Sequence, residues 1–125
     1  MDGRPSFQLT TVVLGTRDPR ALAAFYQHLL GWPLGAVEDQ WVTLRRPDAE
    51  LSLAFQLEED HTPPVWPAGK DDQQMQVHLD INVDDIDDAV AFAVDAGAAL
   101  AGYQPQTHVR VLIDPEGHPF CLWAD

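Results

Sequence analysis

The chain has one cysteine, few cationic residues and no long apolar run, and each shortage removes a class of protein. With Cys121 alone there is no internal disulfide, so core packing must hold the fold and a reducing compartment is the natural setting. Seven Lys and Arg against 20 Asp and Glu leave a net charge of −13, which opposes binding to nucleic acid or to an anionic membrane. The same balance favours encounter with a cationic ligand. Much of it also has plainer causes: Asp84, Asp85, Asp87 and Asp88 sit at a helix start, where the helix dipole welcomes carboxylates. No stretch approaches the roughly 20 apolar residues of a membrane span. The opening residues, Met1-Asp-Gly-Arg-Pro-Ser, carry neither the basic nor the apolar part of a signal peptide, so a cytoplasmic protein is expected.

What the chain does contain is a 46% hydrophobic content and four Trp, enough for one globular domain over residues 1–125. Its most informative feature is a repeat. The phrase Thr11-Val-Val-Leu-Gly-Thr-Arg-Asp18-Pro-Arg-Ala-Leu-Ala-Ala-Phe25 returns as His78-Leu-Asp-Ile-Asn-Val-Asp-Asp85-Ile-Asp-Asp-Ala-Val-Ala-Phe92, at a constant offset of 67. A repeat of this length is a whole supersecondary unit, and two such units pair to build the fold.

The first unit spans 7–57. A strand over 7–15 leads to Asp18 as helix N-cap with Pro19 in the first turn, and Ala21, Leu22, Phe25, Leu29 and Leu30 form an apolar stripe that Gly31 ends. Strands are predicted at 34–37, 40–45 and 50–57. A linker rich in proline occupies 58–73, and Trp66 within it either anchors the linker or lines the opening of a site. The second unit, 74–125, begins with the cleanest alternation in the chain. Val77, Leu79, Ile81 and Val83 point one way, and Gln76, His78, Asp80 and Asn82 the other. A helix over 85–96 follows, with Ala89, Val90, Phe92 and Ala93 toward the sheet, then strands at 99–103, 107–113 and 118–124. The last two are joined by a tight turn, Asp114-Pro-Glu-Gly117.

Each half therefore reads βαβββ. The expected class is α+β, with the two modules forming a curved eight-stranded mixed sheet around a concave trough. A strand face carrying His78, Asp80 and Asn82 needs a partner for every polar group if dry, so it is expected to line a wet cavity.

The duplication, the phrase ending Leu30-Gly31-Trp32, and Asp114-Pro-Glu-Gly-His-Pro-Phe-Cys-Leu122 resemble the vicinal oxygen chelate superfamily, which includes glyoxalase I, bleomycin-resistance proteins and extradiol dioxygenases. More narrowly the chain is similar to its glyoxalase-like domains. The resemblance implies a divalent metal held by His and Glu from four strands. The position seven residues before the capping Asp is His78 in the second module but Thr11 in the first. The position six residues after the turn proline is Cys121 in the second module, where Glu is usual, and Leu53 in the first. Glu50, three residues earlier, is expected to point away from the trough. That set falls short of the three protein ligands of a catalytic metal site, so no metal is expected; if one binds, His78 and Cys121 hold it.

Without a metal, His78 is either a general base or a trough-lining hydrogen-bond group, and Cys121 either a small strand residue or a thiolate activated by it. The expected function is binding of a small molecule beside His78, Asp80, Asn82 and Thr11, with Trp66, Trp41, Phe55 and Trp123 as walls. The alternative is a metal-dependent lyase, isomerase or dioxygenase with His78 and Cys121 as its catalytic pair. The resemblance further implies a homodimer.

Overall fold

In the computed structural model, which describes residues 3–48 and 50–125, both copies of the repeat start in the same way. β1 (Thr11–Thr16) runs into α1 (Pro19–Leu30), and β5 (Leu79–Asn82) into α2 (Ile86–Ala96). Asp18 accepts from the Ala21 N–H at 3.1 Å and Asp85 from the Asp88 N–H at 3.0 Å, so the offset of 67 read in the sequence is kept in the caps. Gly31 closes α1 in the left-handed region at φ 73°, where other residues are strained.

The remaining strands are β2 (Leu34–Val37), β3 (Trp41–Arg45) and β4 (Ser52–Leu57) in the first module, and β6 (Ala99–Leu100), β7 (Val109–Ile113) and β8 (Pro119–Trp123) in the second. The sheet orders are β1-β4-β3-β2 and β5-β8-β7-β6, with β1/β4 and β5/β8 parallel and the other pairs antiparallel. The α+β class and the two βαβββ modules are as expected. The eight strands, however, divide into two sheets of four instead of one continuous sheet. A groove of about 540 Å³, with Val12 and Leu53 on one side and Leu79 and Ile81 on the other, separates the edges of β1 and β5. No hydrogen-bonded ladder joins β1 to β5 across this seam among the described residues.

The modules nevertheless share one core. Tyr26 on α1 stacks on Phe55 at 5.7 Å between centroids and meets Phe120 of the other sheet edge-on at 6.0 Å, while Phe25 also meets Phe120 at 6.0 Å. α1 thus plugs both sheets. The position matching Tyr26 in α2 is Ala93, which is too small to do the same. Phe92, expected to face the sheet like its counterpart Phe25, is instead 49% exposed and stacks on His28 of α1. Each large apolar side chain in this core stabilises the fold by ~1.5–3 kcal/mol.

Polar bonds tie the modules at one end of the seam. Glu116 accepts from the Thr16 hydroxyl at 2.6 Å, the Arg17 N–H at 2.9 Å and the Arg17 guanidinium at 3.0 and 2.7 Å. The buried Tyr26 hydroxyl donates to Asp114 at 2.7 Å, and His118 Nε2 donates to the Gly15 carbonyl at 2.7 Å. Among the described residues no helix is long and apolar enough to cross a membrane.

Candidate functional site

The alternation of the second module decides which side chains meet. Parallel pairing sets Asp80 opposite Cys121 and Asn82 opposite Trp123, while Leu79 and Ile81 pair with Phe120 and Leu122 on the core side. β7 adds Val109 opposite Trp123 and Val111 opposite Cys121. The polar face lines a trough of about 380 Å³, bordered by His78, Asp80, Gln106, His108, Val109, Cys121, Trp123 and Ala124.

Asp80 is the centre of its electrostatics. Its carboxylate lies 3.3 Å from His78 Nε2, and the side-chain donor atoms of His78, Asp80 and Cys121 all fall within 4.8 Å of one another. Burial pushes the Cys121 thiol up, and the charge of Asp80 together with the hydrogen bond it accepts from the thiol pushes it further. The thiol is therefore held protonated, the reverse of what a thiolate nucleophile requires. Asn82 borders the adjoining groove instead of this trough and donates to the Trp123 carbonyl at 3.3 Å.

Of the residues singled out in the sequence, His78, Asp80, Cys121 and Trp123 come together here. Trp66 reaches the same place from the linker: it borders a small chamber with Met75, His78, Val111, Pro119 and Cys121. Thr11 and Trp41 do not join them. They lie on β1 and β3 of the other sheet and border neither this trough nor the adjoining groove, where His78, Asp80 and Asn82 face Val12, Trp32, Arg46 and Leu53 of the first module. Phe55 is fully buried in the shared core and forms no wall of the trough.

The expected match between Leu53 and Cys121 is off by one residue. Leu53 is a core residue, and Ala54 sits opposite Val13 in the way that Cys121 sits opposite Asp80. The connection 46–51 has one residue more than 114–118, and a slip of one turns a strand residue to the other face. Glu50 consequently shares its parity with Ala54, but it precedes β4 and hydrogen-bonds the Gln8 amide. Neither Leu53 nor Ala54 can ligate a metal, so the first module still offers no donor at this position.

Gln106 and His108 were not visible as site residues. They belong to a loop shaped by Arg110, whose guanidinium donates to the carbonyls of Gln106, Thr107 and Val109, and by Gln104, whose amide pairs with both backbone groups of Val111. The Gln104 amide takes the place of a strand partner, and β6 accordingly stops at Leu100.

No curated protein sequence is significantly similar to the chain. Its fold is similar to that of a glyoxalase/bleomycin resistance protein/dioxygenase family enzyme from Burkholderia phytofirmans PsJN, with a TM-score of 0.73, 24% identity, and coverage of 94% of this chain and 98% of that one. A glyoxalase-related enzyme from Fulvimarina pelagi is similar at a TM-score of 0.68 and 20% identity, covering 94% and 88%. TnmS3, an antibiotic binding protein from Streptomyces sp. CB03234, is similar at 0.63 and 20%, covering 97% and 98%. Residues 11–123, which hold both modules and the trough, match the glyoxalase-like domain family. The chain belongs to that family and, through it, to the vicinal oxygen chelate superfamily.

Proposed function

We propose that this protein binds a small, cation-bearing molecule in the trough of its second module, without the full metal site of its superfamily. The observation that carries this reading is Asp80, 62% exposed at its side chain, in a cavity of about 380 Å³ that Trp123 also lines. A carboxylate and an indole lining one cavity can attract a cation by charge and by the ring face together. The net charge of −13 speeds the encounter. An antibiotic-binding relation in fold, TnmS3, supports a sequestering role, and the protonated Cys121 thiol argues against covalent catalysis. We further propose a homodimer in which Thr11 and Trp41, which border neither cavity within one chain, face the trough of a symmetric partner.

Titration with matched cationic and neutral compounds, followed by Trp fluorescence and thermal shift, tests the reading. Cations are expected to raise the melting temperature, and Asp80→Asn to remove that preference. No stabilisation by any of them overturns it.

One observation favours a second reading, a metal-dependent lyase, isomerase or dioxygenase. His78, Asp80 and Cys121 offer nitrogen, oxygen and sulfur within 4.8 Å, a donor set that suits zinc better than magnesium. These three residues would hold the ion, which would supply Lewis-acid polarisation of a bound oxygen. Binding would require displacing the thiol proton now shared with Asp80. Metal retained near one equivalent per chain, and lost in His78→Ala, would establish this reading over the first.

A further inference from the structure

The groove along the seam is a second cavity that shares a wall with the trough. At about 540 Å³ it is the larger of the two, and His78 and Asp80 border both. Its sides are mostly apolar: Val12, Leu51 and Leu53 of the first module, Leu79 and Ile81 of the second, and Trp32 just beyond α1. Apolar surface lying open in a concavity of this size suits the body of a small organic molecule.

Besides His78, two side chains with charge border the groove among the described residues, and they have opposite sign: Asp80 and Arg46. Arg46 comes there through strand parity. It lies two residues beyond Leu44, a fully buried core-side residue of β3, and so leaves the sheet on the side of the groove. Other arginines have partners: Arg17 is bonded to Glu116, Arg20 to Asp39, and Arg110 to three carbonyls. Arg46 has neither an ion pair nor a hydrogen bond among the described residues, although the chain carries 20 Asp and Glu.

These two charges decide what the groove can hold. A plain anion at Arg46 meets Asp80 along the same groove and the net charge of −13 around it. A molecule with a cation at one end and an anion at the other is neutral on approach and finds an opposite charge for each end.

We propose that the ligand is zwitterionic: its cation rests at Asp80, its apolar body lies along the seam groove, and its carboxylate is held by Arg46. The inference rests on Asp80 being the cation site and adds an anchor outside the trough. A guanidinium offers a carboxylate two parallel N–H donors, which fixes the direction in which the molecule lies.

The test uses the full chain and ω-amino acids of four, six and eight carbons, with alkylammonium and alkanoate ions of matching length as controls. Affinities come from calorimetry. The indole N–H signals, assigned by their loss in Trp→Phe variants, locate the probe, since Trp32 borders the groove and Trp123 the trough. At least one amino acid is expected to bind about fivefold more tightly than the alkylammonium of its length, and to shift Trp32. Arg46→Gln, at an exposed position, should remove that advantage and leave the alkylammonium unaffected. Arg46→Lys, which keeps the charge and loses the paired donors, should restore part of it. If every alkylammonium binds as tightly as its amino acid, or if Arg46→Gln weakens both equally, the zwitterion is overturned and the trough reading stands. Alkanoates bound through Arg46 while no ammonium binds would overturn the trough reading and the zwitterion together, as would silence of every probe.

Discussion

At Cys121 burial and a neighbouring carboxylate act in the same direction. Desolvation opposes the thiolate, and Asp80 adds a like charge beside it. Replacing Asp80 with Asn removes the charge and leaves an acceptor of the same shape. The thiol's pKa then falls toward its ordinary value and the thiolate fraction rises. Alkylation of Cys121 by iodoacetamide at pH 8 is expected to be several-fold faster in Asp80→Asn than in the parent, measured by mass. An equal rate would mean that Asp80 does not govern the thiol. The same carboxylate was legible in the sequence as part of an alternating face, because period 2 fixes which residues share a side. Its pairing with Cys121 was not, since cross-strand partners depend on the register of β5 against β8, which no local pattern fixes.

Among the elements, the two helix starts and the β7–β8 hairpin were the most legible, because Asp caps, Pro19 and the terminal glycines act locally. Elements set by distant contacts were harder. β1 begins at Thr11 where a strand from residue 7 was expected, and Phe7 and Leu9 stand 81% and 77% exposed. Phe92 faces outward because α1 already fills the centre with Phe25 and Tyr26, a matter of tertiary crowding that helical periodicity cannot register. The hairpin turn makes its own demand. Gly117 holds φ 98°, and a Cβ there would clash with Pro63 of the linker. Gly117→Ala meets both the conformational penalty and this clash, so a loss of ~2–4 kcal/mol is expected in thermal or urea unfolding. A loss under ~1 kcal/mol, the cost of strain at φ alone, would show that Pro63 yields easily.

On the scale of the whole molecule, the two sheets are joined by α1 and by the bonds around Glu116. Burial alone would raise the Glu116 carboxyl. The Thr16 hydroxyl, the Arg17 guanidinium and the Arg17 N–H outweigh it and hold the carboxyl below its ordinary 4.5. A depressed carboxylate contributes its full stabilisation above that ordinary value and loses it as pH falls through the lowered folded one. Glu116→Gln is therefore expected to unfold with ~1–3 kcal/mol less stability at pH 7, and the gap from the parent should narrow below pH 4.5. A gap that stays constant down to acid unfolding would mean that shape, not charge, holds the junction. The shared plug of Phe25 and Tyr26 also has a bearing on how such a chain changes over time. Core residues of both halves answer to one another through α1, so their variation is constrained jointly. The trough side of β5 and β8 answers to nothing in the core. His78, Asp80 and Cys121 can each be exchanged while the plug stays intact, which makes this half of the duplicate a surface that mutation can readdress to a new ligand at little risk to folding.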